Sequence, residues 1–407
     1  MDTVRFLGPD TDAYVASVVK HSREFTDLTG IGIETTIVPS DDYFAGHIQR
    51  ALAEPGQVDV FMSGPVLLWE HMGAGLVAPL NDHVRSASPG WDVADFFETL
   101  LESNRWTGRF GDPLGQGPLM EIPVNCESYN LAYVPEHLAA AAVPVPTTWE
   151  EYFAAAAEVA RLVPGTMGFA QRGTKAWHTI YTGFATYLWS EGGADFANGK
   201  VMIASDEATA ATTRFVTALR EAGPRDWTSQ RWYELALDFG AGKYGLIVDS
   251  DHYAPIFENP ELCSMGGRIA YAMTPAGSLG VRPNLWTWSL AMTASSQHPE
   301  LAWAFIEWAS SKDFLLRSAS EGNLNPTRRS VWDAPQFTTL VSGWGDFAAV
   351  SRALLENHAR VLVTPHPRYK AIAERWVQAL RESYSGADVA AALRSAADDV
   401  DRLATGH

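Results

Sequence analysis

The stretch from residue 4 to residue 80 reads VRFLGPDTDAYVASVVKHSREFTDLTGIGIETTIVPSDDYFAGHIQRALAEPGQVDVFMSGPVLLWEHMGAGLVAPL, and its alternation decides the fold class. Residues 4–7 form a short apolar strand, 11–26 carry helical periodicity, and 33–38 are a strand of alternating β-branched residues. Ser40 is placed to cap a helix through Tyr43, Ile48 and Leu52 that ends at Pro55-Gly56. Residues 58–62 are a third strand. Ser63-Gly64-Pro65 turns it into a helix over 66–72, which Gly73 and Gly75 stop. Strands linked by helices through short connections predict a largely parallel sheet covered by helices. Ligands of such sheets sit beyond the carboxyl ends of the strands. Asp10, Ser40-Asp41 and Ser63-Gly64 fall at that edge.

The pattern renews near Ile122-Pro123-Val124. Pro144-Val145-Pro146 leads into Thr147-Thr148-Trp149-Glu150-Glu151, a helix start with either Thr147 and Glu150 or Thr148 and Glu151 as its capping box. That helix covers 152–162 and breaks at Pro164-Gly165. Further helices are predicted over 177–191, 205–222, 232–240 and 299–310, the last with Pro in its first turn. Strands are predicted over 245–248 and 268–273, and the chain from Asn325-Pro326 to Leu403 reads as helical. With no internal repeat or flexible linker, the expected architecture is a two-lobed α/β protein whose chain crosses between lobes several times.

Composition sets the outer limits. The 407 residues suffice for two or three domains with cores of their own. A hydrophobic content of 46% with 19% charged residues describes a globular chain, neither disordered nor fibrous. With 48 acidic against 30 basic residues the net charge is −18, and no basic cluster exceeds Arg328-Arg329. That balance argues against nucleic acid and anionic lipid as partners. No run approaches the roughly 20 apolar residues of a membrane helix. The amino terminus shows no signal-peptide pattern, which leaves a cytosolic protein or a mature chain with a replacement Met. Cys126 and Cys263 match no disulfide framework or metal spacing and read as buried thiols. The 15 tryptophans are a heavy load. Trp303 and Trp308, in the helical run 301–308, read as core, whereas rings in loops need a partner. Flat apolar faces suit the C–H faces of sugars and polyols.

Signatures of catalysis are missing from the sequence. There is no Gly-x-Ser-x-Gly elbow, no phosphate-binding Gly-x-x-x-x-Gly-Lys-Ser/Thr loop and no His-Glu-x-x-His. Gly111, Gly115 and Gly117 follow no strong strand, His358 and His366 read as surface or capping histidines, and Asp249-Ser250-Asp251 lacks the glycine and glutamate of a calcium loop. No metal, cofactor or catalytic residue is expected, and only a spatial carboxylate pair for glycoside hydrolysis stays open. What recurs is a polar residue beside an aromatic at the end of an element. Asn125-Cys126-Glu127 follows the 122–124 strand, as a ligand contact or a strand edge. Trp177-His178 opens a helix after Gly173-Thr174-Lys175, facing a ligand or packing as first-turn core. Asp249 and Asp251 end the 245–248 strand, as ligand acceptors or solvated turn acids. Trp286 and Trp288 share a side if their segment is extended. Asn323, Asn325 and Arg328 surround Pro326 in a non-helical turn.

Several stretches share one further property, their order. They are Val58-Asp59-Val60-Phe61 with Gly75-Leu76-Val77-Ala78-Pro79-Leu80, Glu121-Ile122-Pro123 with Tyr129-Asn130-Leu131-Ala132-Tyr133, and Val145-Pro146-Thr147-Thr148-Trp149-Glu150-Glu151. Gly240-Ala241-Gly242-Lys243-Tyr244-Gly245-Leu246, Pro299-Glu300-Leu301-Ala302-Trp303-Ala304-Phe305-Ile306 and the turn from Gly322 to Arg328 complete the series. In order and spacing the chain resembles the extracellular solute-binding proteins of ABC importers, the family that captures sugars, polyols and glycerol phosphates.

The resemblance implies a type II-like periplasmic-binding-protein fold. Each of its two lobes is a mostly parallel sheet flanked by helices, hinged to close over a ligand. Residues 1–123 with 274–325 would form the amino-terminal lobe and 124–273 with 326–407 the carboxy-terminal one. Asp10, Asp41, Ser63 and Gly64 would contact ligand from the first lobe. Asn125, Glu127, Trp177, His178 and Asp251 would do so from the second, and Trp286, Trp288 and Asn325 from the hinge side. Where sugar-binding members carry an Arg before a late proline-rich segment, this chain reads Val363-Thr364-Pro365-His366-Pro367-Arg368-Tyr369, so His366 or Arg368 takes that role, or neither does. The implied job is non-catalytic. A monomer in the periplasm, or anchored outside the cytoplasm as a lipoprotein, captures a monosaccharide, sugar alcohol or small oligosaccharide for membrane permease subunits. Two alternatives stand beside it, a binding protein for a polyamine or other charged solute, and a carbohydrate-active enzyme such as a glycoside hydrolase.

Overall fold

The computed structural model describes residues 2–10, 12–46 and 48–405. Its strands are β1 (Thr3–Pro9), β2 (Gly32–Val38), β3 (Val60–Ser63), β4 (Glu121–Tyr133), β5 (Met167–Ala170), β6 (Phe196–Ala197), β7 (Lys200–Val201), β8 (Tyr244–Ser250), β9 (Ala270–Ala272) and β10 (Leu285–Met292). The chain packs as two compact units. The first comprises Met1–Cys126, Trp286–Leu340 and Pro365–Pro367; the second comprises Glu127–Leu285, Val341–Thr364 and Arg368–His407. The lobe bounds implied by the resemblance put the crossings at 123/124, 273/274 and 325/326, and β4 carries the chain from one unit to the other without a turn.

In the first unit the strand order is β2-β1-β3-β10-β4. Helical crossovers oblige β1 to pair parallel with β2, Thr3 opposite Gly32, and with β3, Phe6 opposite Val60. No crossover ties β10 to β3, and it lies antiparallel, Ser289 opposite Ser63. The helix Ala13–Thr29 is capped by Asp12, whose Oδ1 accepts the backbone N–H groups of Tyr14 at 2.8 Å and Val15 at 3.2 Å, and it ends at Gly30 with φ +74°. Thr11, the predicted start of this helix, lies outside the described residues. The single helix expected from Ser40 is two short ones, Ser40–Phe44 and Gln49–Ala53. The helix Pro299–Ala309 fills the core: the Phe305 ring lies 5.2 Å from Phe6 and 5.9 Å from Phe25, and Trp308 lies 5.1 Å from Phe25. Trp303 is buried, its indole N–H donating to Glu307 at 2.9 Å.

The second unit holds a mixed sheet. β4 pairs antiparallel with β8, Asn130 opposite Asp249, and with β9, while β5 runs parallel to β8, Phe169 opposite Leu246. The largely parallel reading therefore describes β1, β2 and β3, and both sheets as wholes are mixed. Thr148 and Glu151 form the capping box of the helix Trp149–Leu162, the second of the two pairs the sequence allowed. That helix packs Trp149 and Phe153 against Tyr187, each pair of ring centroids 5.2 Å apart. The regular helix predicted over 177–191 is a π-helical turn, Ile180–Phe184, followed by Ala185–Ser190, because Thr182 leaves helical geometry with ψ −136°. The helical tail is present as Tyr369–Tyr384 and Val389–Thr405.

Among the described residues no helix is long and apolar enough to cross a membrane, and no cluster of His, Cys, Asp or Glu could hold a metal ion. No disulfide joins Cys126 to Cys263; each thiol donates to a backbone carbonyl, of Asn325 at 3.4 Å and Gly240 at 3.2 Å.

Phe305 has no exposed surface and sits between two other rings. Phe305→Ala should cost about 3–5 kcal/mol and Phe305→Leu distinctly less, read as displacement of the chemical denaturation midpoint. Equal losses for both variants would contradict a packing role.

Candidate functional site

In the first unit the strand ends are tied together before any ligand is considered. Asp10 is exposed, and its Oδ1 accepts both the backbone N–H and the hydroxyl of Ser40, each at 2.9 Å, closing the turn after β2. Asp41 is exposed in the first turn of Ser40–Phe44. Tyr43 in that helix is fully buried and donates to the Met62 carbonyl at 2.5 Å, fastening the helix to β3. Ser63 ends β3 without exposed surface, and Gly64 follows it. A Cβ on Gly64 would lie 2.6 Å from both the Trp286 ring and the Thr287 carbonyl, so only glycine admits the indole there. The centroids of buried Trp286 and half-buried Trp288 lie 5.3 Å apart, and Phe44 lies 5.7 Å from Trp288. β10 thus puts both rings together, and the helix after β2 adds a third.

Glu121, at the start of β4, carries a signal that sequence reasoning passed over. Its side chain is fully buried beside the Ser63 hydroxyl, with no cation set against it among the described residues. Burial pushes its pKa up to about 8 against the opposing effect of the Ser63 hydroxyl, so at neutral pH it is a neutral acid. Other polar residues nearby are tied to the backbone or to one another. Asn125 donates to Asn323, Asn323 to the Val124 carbonyl at 3.3 Å, Asn325 to the Cys126 carbonyl at 3.2 Å, and Thr327 to the Pro123 carbonyl at 2.8 Å. Asn325 adopts φ +64°, and its side chain bonds the strand beside it. The segment 323–327 is thereby sewn to the first half of β4. His366 is buried edge-on against Phe110 at 4.8 Å.

The second unit brings a denser cluster together. Arg172 follows β5 and Asp249 lies in β8, and the parallel register that puts Ala170 beside Ile247 continues to put Arg172 beside Asp249. The guanidinium forks onto the carboxylate, Nε at 2.9 Å and Nη2 at 2.6 Å. Burial alone would weaken the charge of Arg172, but Asp249, with Tyr253 and Tyr129, more than restores it and raises its pKa. The Tyr253 ring lies 5.5 Å from that guanidinium. The loop is fixed by its neighbours: the Trp227 indole donates to the Arg172 carbonyl at 2.8 Å, and the Gly173 N–H to the Gln230 carbonyl at 3.1 Å. A Cβ on Gly173 would sit 1.9 Å from the Trp227 carbonyl oxygen, so this approach requires glycine.

Asp251 is buried and accepts from Ser128, the N–H at 3.0 Å and the hydroxyl at 2.8 Å. Burial nonetheless raises its pKa to about 7, and the charge of half-buried Glu127 adds to the rise. Trp177 is buried, with ring centroids 5.8 Å from both His178 and Tyr181. His178 keeps part of its surface yet is densely surrounded. Burial, then the charges of Arg172 and Arg231, depress its pKa to about 3, so the imidazole is neutral at ordinary pH. Arg368 is exposed, with Nη1 on the Leu403 carbonyl at 3.2 Å. Within this unit, Glu127, Trp177, His178 and Asp251 belong to one neighbourhood with Arg172, Asp249 and Tyr253. Arg172 and Tyr253 were not singled out from the sequence. The one available signal was an arginine directly after an apolar strand.

A model of the bacterial extracellular solute-binding protein family matches residues 8–314. The chain is 30% identical over 389 residues to an erythritol/L-threitol-binding protein of Mycolicibacterium smegmatis, covering 92% of this chain and 80% of that protein. Its fold is similar to that of an ABC transporter solute-binding protein from Agrobacterium radiobacter in complex with ribitol, with a TM-score of 0.84, 22% identity and coverage of 99% and 98% of the two chains. A solute-binding protein from Agrobacterium vitis with bound D-mannitol gives a TM-score of 0.82 at 22% identity, covering 100% of this chain and 99% of that one. These likenesses show a two-lobed α/β fold.

Two outcomes follow from the buried charges. Arg172→Met leaves Asp249 buried and uncompensated and should cost about 3–5 kcal/mol, whereas Arg172→Met with Asp249→Leu should recover part of that loss. Strictly additive losses in denaturant melts would refute the pairing. Glu121 has a folded pKa of about 8, well above the unfolded carboxylate value near 4. Its contribution to stability is therefore present below the unfolded pKa and lost as pH rises through 8. Glu121→Gln should flatten the fall in stability between pH 6.5 and 8.5 relative to the parent, while Asp251 continues to contribute in both. Parallel stability profiles would show that Glu121 does not titrate there.

Proposed function

Because the chain belongs to the bacterial extracellular solute-binding protein family, we propose that it is the capture component of an ABC importer with a neutral polyhydroxylated ligand, a sugar alcohol or small sugar. The observation that carries this reading is the charge state of the second unit's cluster. Asp249 is balanced by Arg172, Asp251 is bonded by Ser128 and half-protonated near neutrality, and His178 is neutral. A polyamine wants unspent carboxylates and a phosphate ester wants unspent cations. Apart from half-buried Glu127, this cluster offers hydrogen-bonding groups that are paired or neutral, beside aromatic rings, which suits hydroxyls and C–H faces. The erythritol/L-threitol, ribitol and mannitol named for the similar proteins are of this class.

In this reading Glu127, Arg172, Trp177 and His178 supply ligand contacts in the second unit, and Ser63, Trp286 and Trp288 do so in the first. Asp10, Asn125, Asn325 and Asp251 hold the strand ends that present them. Binding proceeds without turnover. In this reading the protein works outside the cytoplasm as a monomer that delivers its ligand to permease subunits, which the family match supports.

The test is thermal unfolding against erythritol, L-threitol, ribitol, D-mannitol, maltose and spermidine, with each compound also assayed for chemical change. A ligand at 100 times its Kd adds about 2.7 kcal/mol to the folded state and should raise Tm by a few degrees. At least one polyol or sugar should do so, with the shift reduced by Glu127→Ala and no product formed. A shift with spermidine alone, or turnover of maltose, would replace this reading.

A further inference from the structure

We propose that Trp232 is a stacking platform for the ligand at the rim of the second unit's polar cluster, an inference that rests on the carbohydrate reading above. Among the described residues Trp232 is the one exposed tryptophan, at 38%. An indole left in water forgoes a large hydrophobic stabilisation. This one gains no compensation from its helix, Trp232–Gly240, whose buried side is Leu235, Ala236, Phe239 and Gly240.

Its orientation is set from the site side. The Trp232 ring lies within 11° of parallel to Tyr253, with centroids 6.4 Å apart. Tyr253 is 3% exposed and faces the Arg172 guanidinium, which in turn forks onto Asp249. Three flat groups therefore run in sequence from solvent to the buried ion pair. Tyr233, also exposed, meets Trp232 edge to face at 5.3 Å and widens the apolar surface.

The backbone that carries the ring is anchored to the same cluster. Gln230 accepts the Gly173 N–H, Arg381 donates to the Thr228 carbonyl at 2.6 Å, and Arg231 is near enough to His178 to depress its pKa. Residues 230–232 are thus held beside Arg172 and His178. A polyhydroxylated chain or ring has alternating hydroxyl and C–H edges. A neutral imidazole and a paired guanidinium serve the hydroxyls, and the indole face serves the C–H edge while excluding water from the hydrogen bonds beside it.

The test compares Trp232→Ala, Trp232→Phe and the parent chain by calorimetric titration with erythritol, ribitol and D-mannitol. Trp232→Ala should weaken the tightest of these by about tenfold, and Trp232→Phe, which keeps an aromatic face, by no more than about twofold. Because the ring packs on Tyr253 and Tyr233, Trp232→Ala should lower the ligand-free Tm by a few degrees and Trp232→Phe by less, and titrating each variant well below its own Tm separates lost contact from lost fold. Direct contact also predicts that the parent's change in tryptophan fluorescence on ligand addition is diminished in Trp232→Phe. Parent-like affinity in Trp232→Ala overturns the platform and leaves the carbohydrate reading intact. A parent chain that binds none of the three compounds overturns that reading, and the platform with it.

Discussion

The pairing of Arg172 with Asp249 is the constraint on which the second unit's site depends. Two opposite charges leave water together at the ends of adjacent parallel strands, and neither is tolerable there alone. Meeting that condition fixes the loop after β5 and requires Gly173 where the Trp227 carbonyl approaches. It also gives Tyr253 a cation to face and lends His178 a positive neighbour that adds to the burial keeping it neutral. Remove the pair and the loop, the ring and the imidazole lose their common reason for being where they are.

The first unit meets the same problem by another route. Glu121 has no cation, so it stays protonated, and its cost is that of a buried carboxylic acid instead of a buried charge. The polar residues nearby are spent on backbone: Asn323, Asn325 and Thr327 donate to carbonyls of residues 123–126, and Asp10 accepts from Ser40. Each unit therefore presents hydrogen-bonding groups and rings with little unspent charge. A chain of net charge −18 can in this way carry sites suited to uncharged ligands.

Much of this was legible residue by residue. The β-branched run at 33–38, the capping box at Thr148 and the proline at the start of Pro299–Ala309 announce their elements through local geometry. The spacing of Trp286 and Trp288 put their rings on one side provided the segment was extended, and β10 makes it so. Other readings failed where a partner from elsewhere overruled a local preference. Ser40 looked like a cap, but its hydroxyl serves Asp10. Residues 177–191 had helical periodicity, but Gly183 lies where a Cβ would stand 2.6 Å from the Val248 carbonyl, and Thr182 departs from helical geometry beside it. Asn125 and Asn325, candidate ligand amides in the sequence, also join segments far apart in the chain.

The sequence by itself determined the strand–helix alternation of the first 80 residues, the main later helices, and the resemblance to the family, because these depend on periodicity, capping and spacing along the chain. Which acids are charged was decided only by tertiary structure. Arg172 and Asp249 are 77 residues apart, and only the β5–β8 register makes them neighbours. Glu121 is an ordinary glutamate in the sequence and a neutral acid in the fold, since a pKa answers to burial and nearby charge and not to sequence neighbours. The character of the site, neutral and aromatic in a strongly acidic chain, is for that reason a property of the packed molecule.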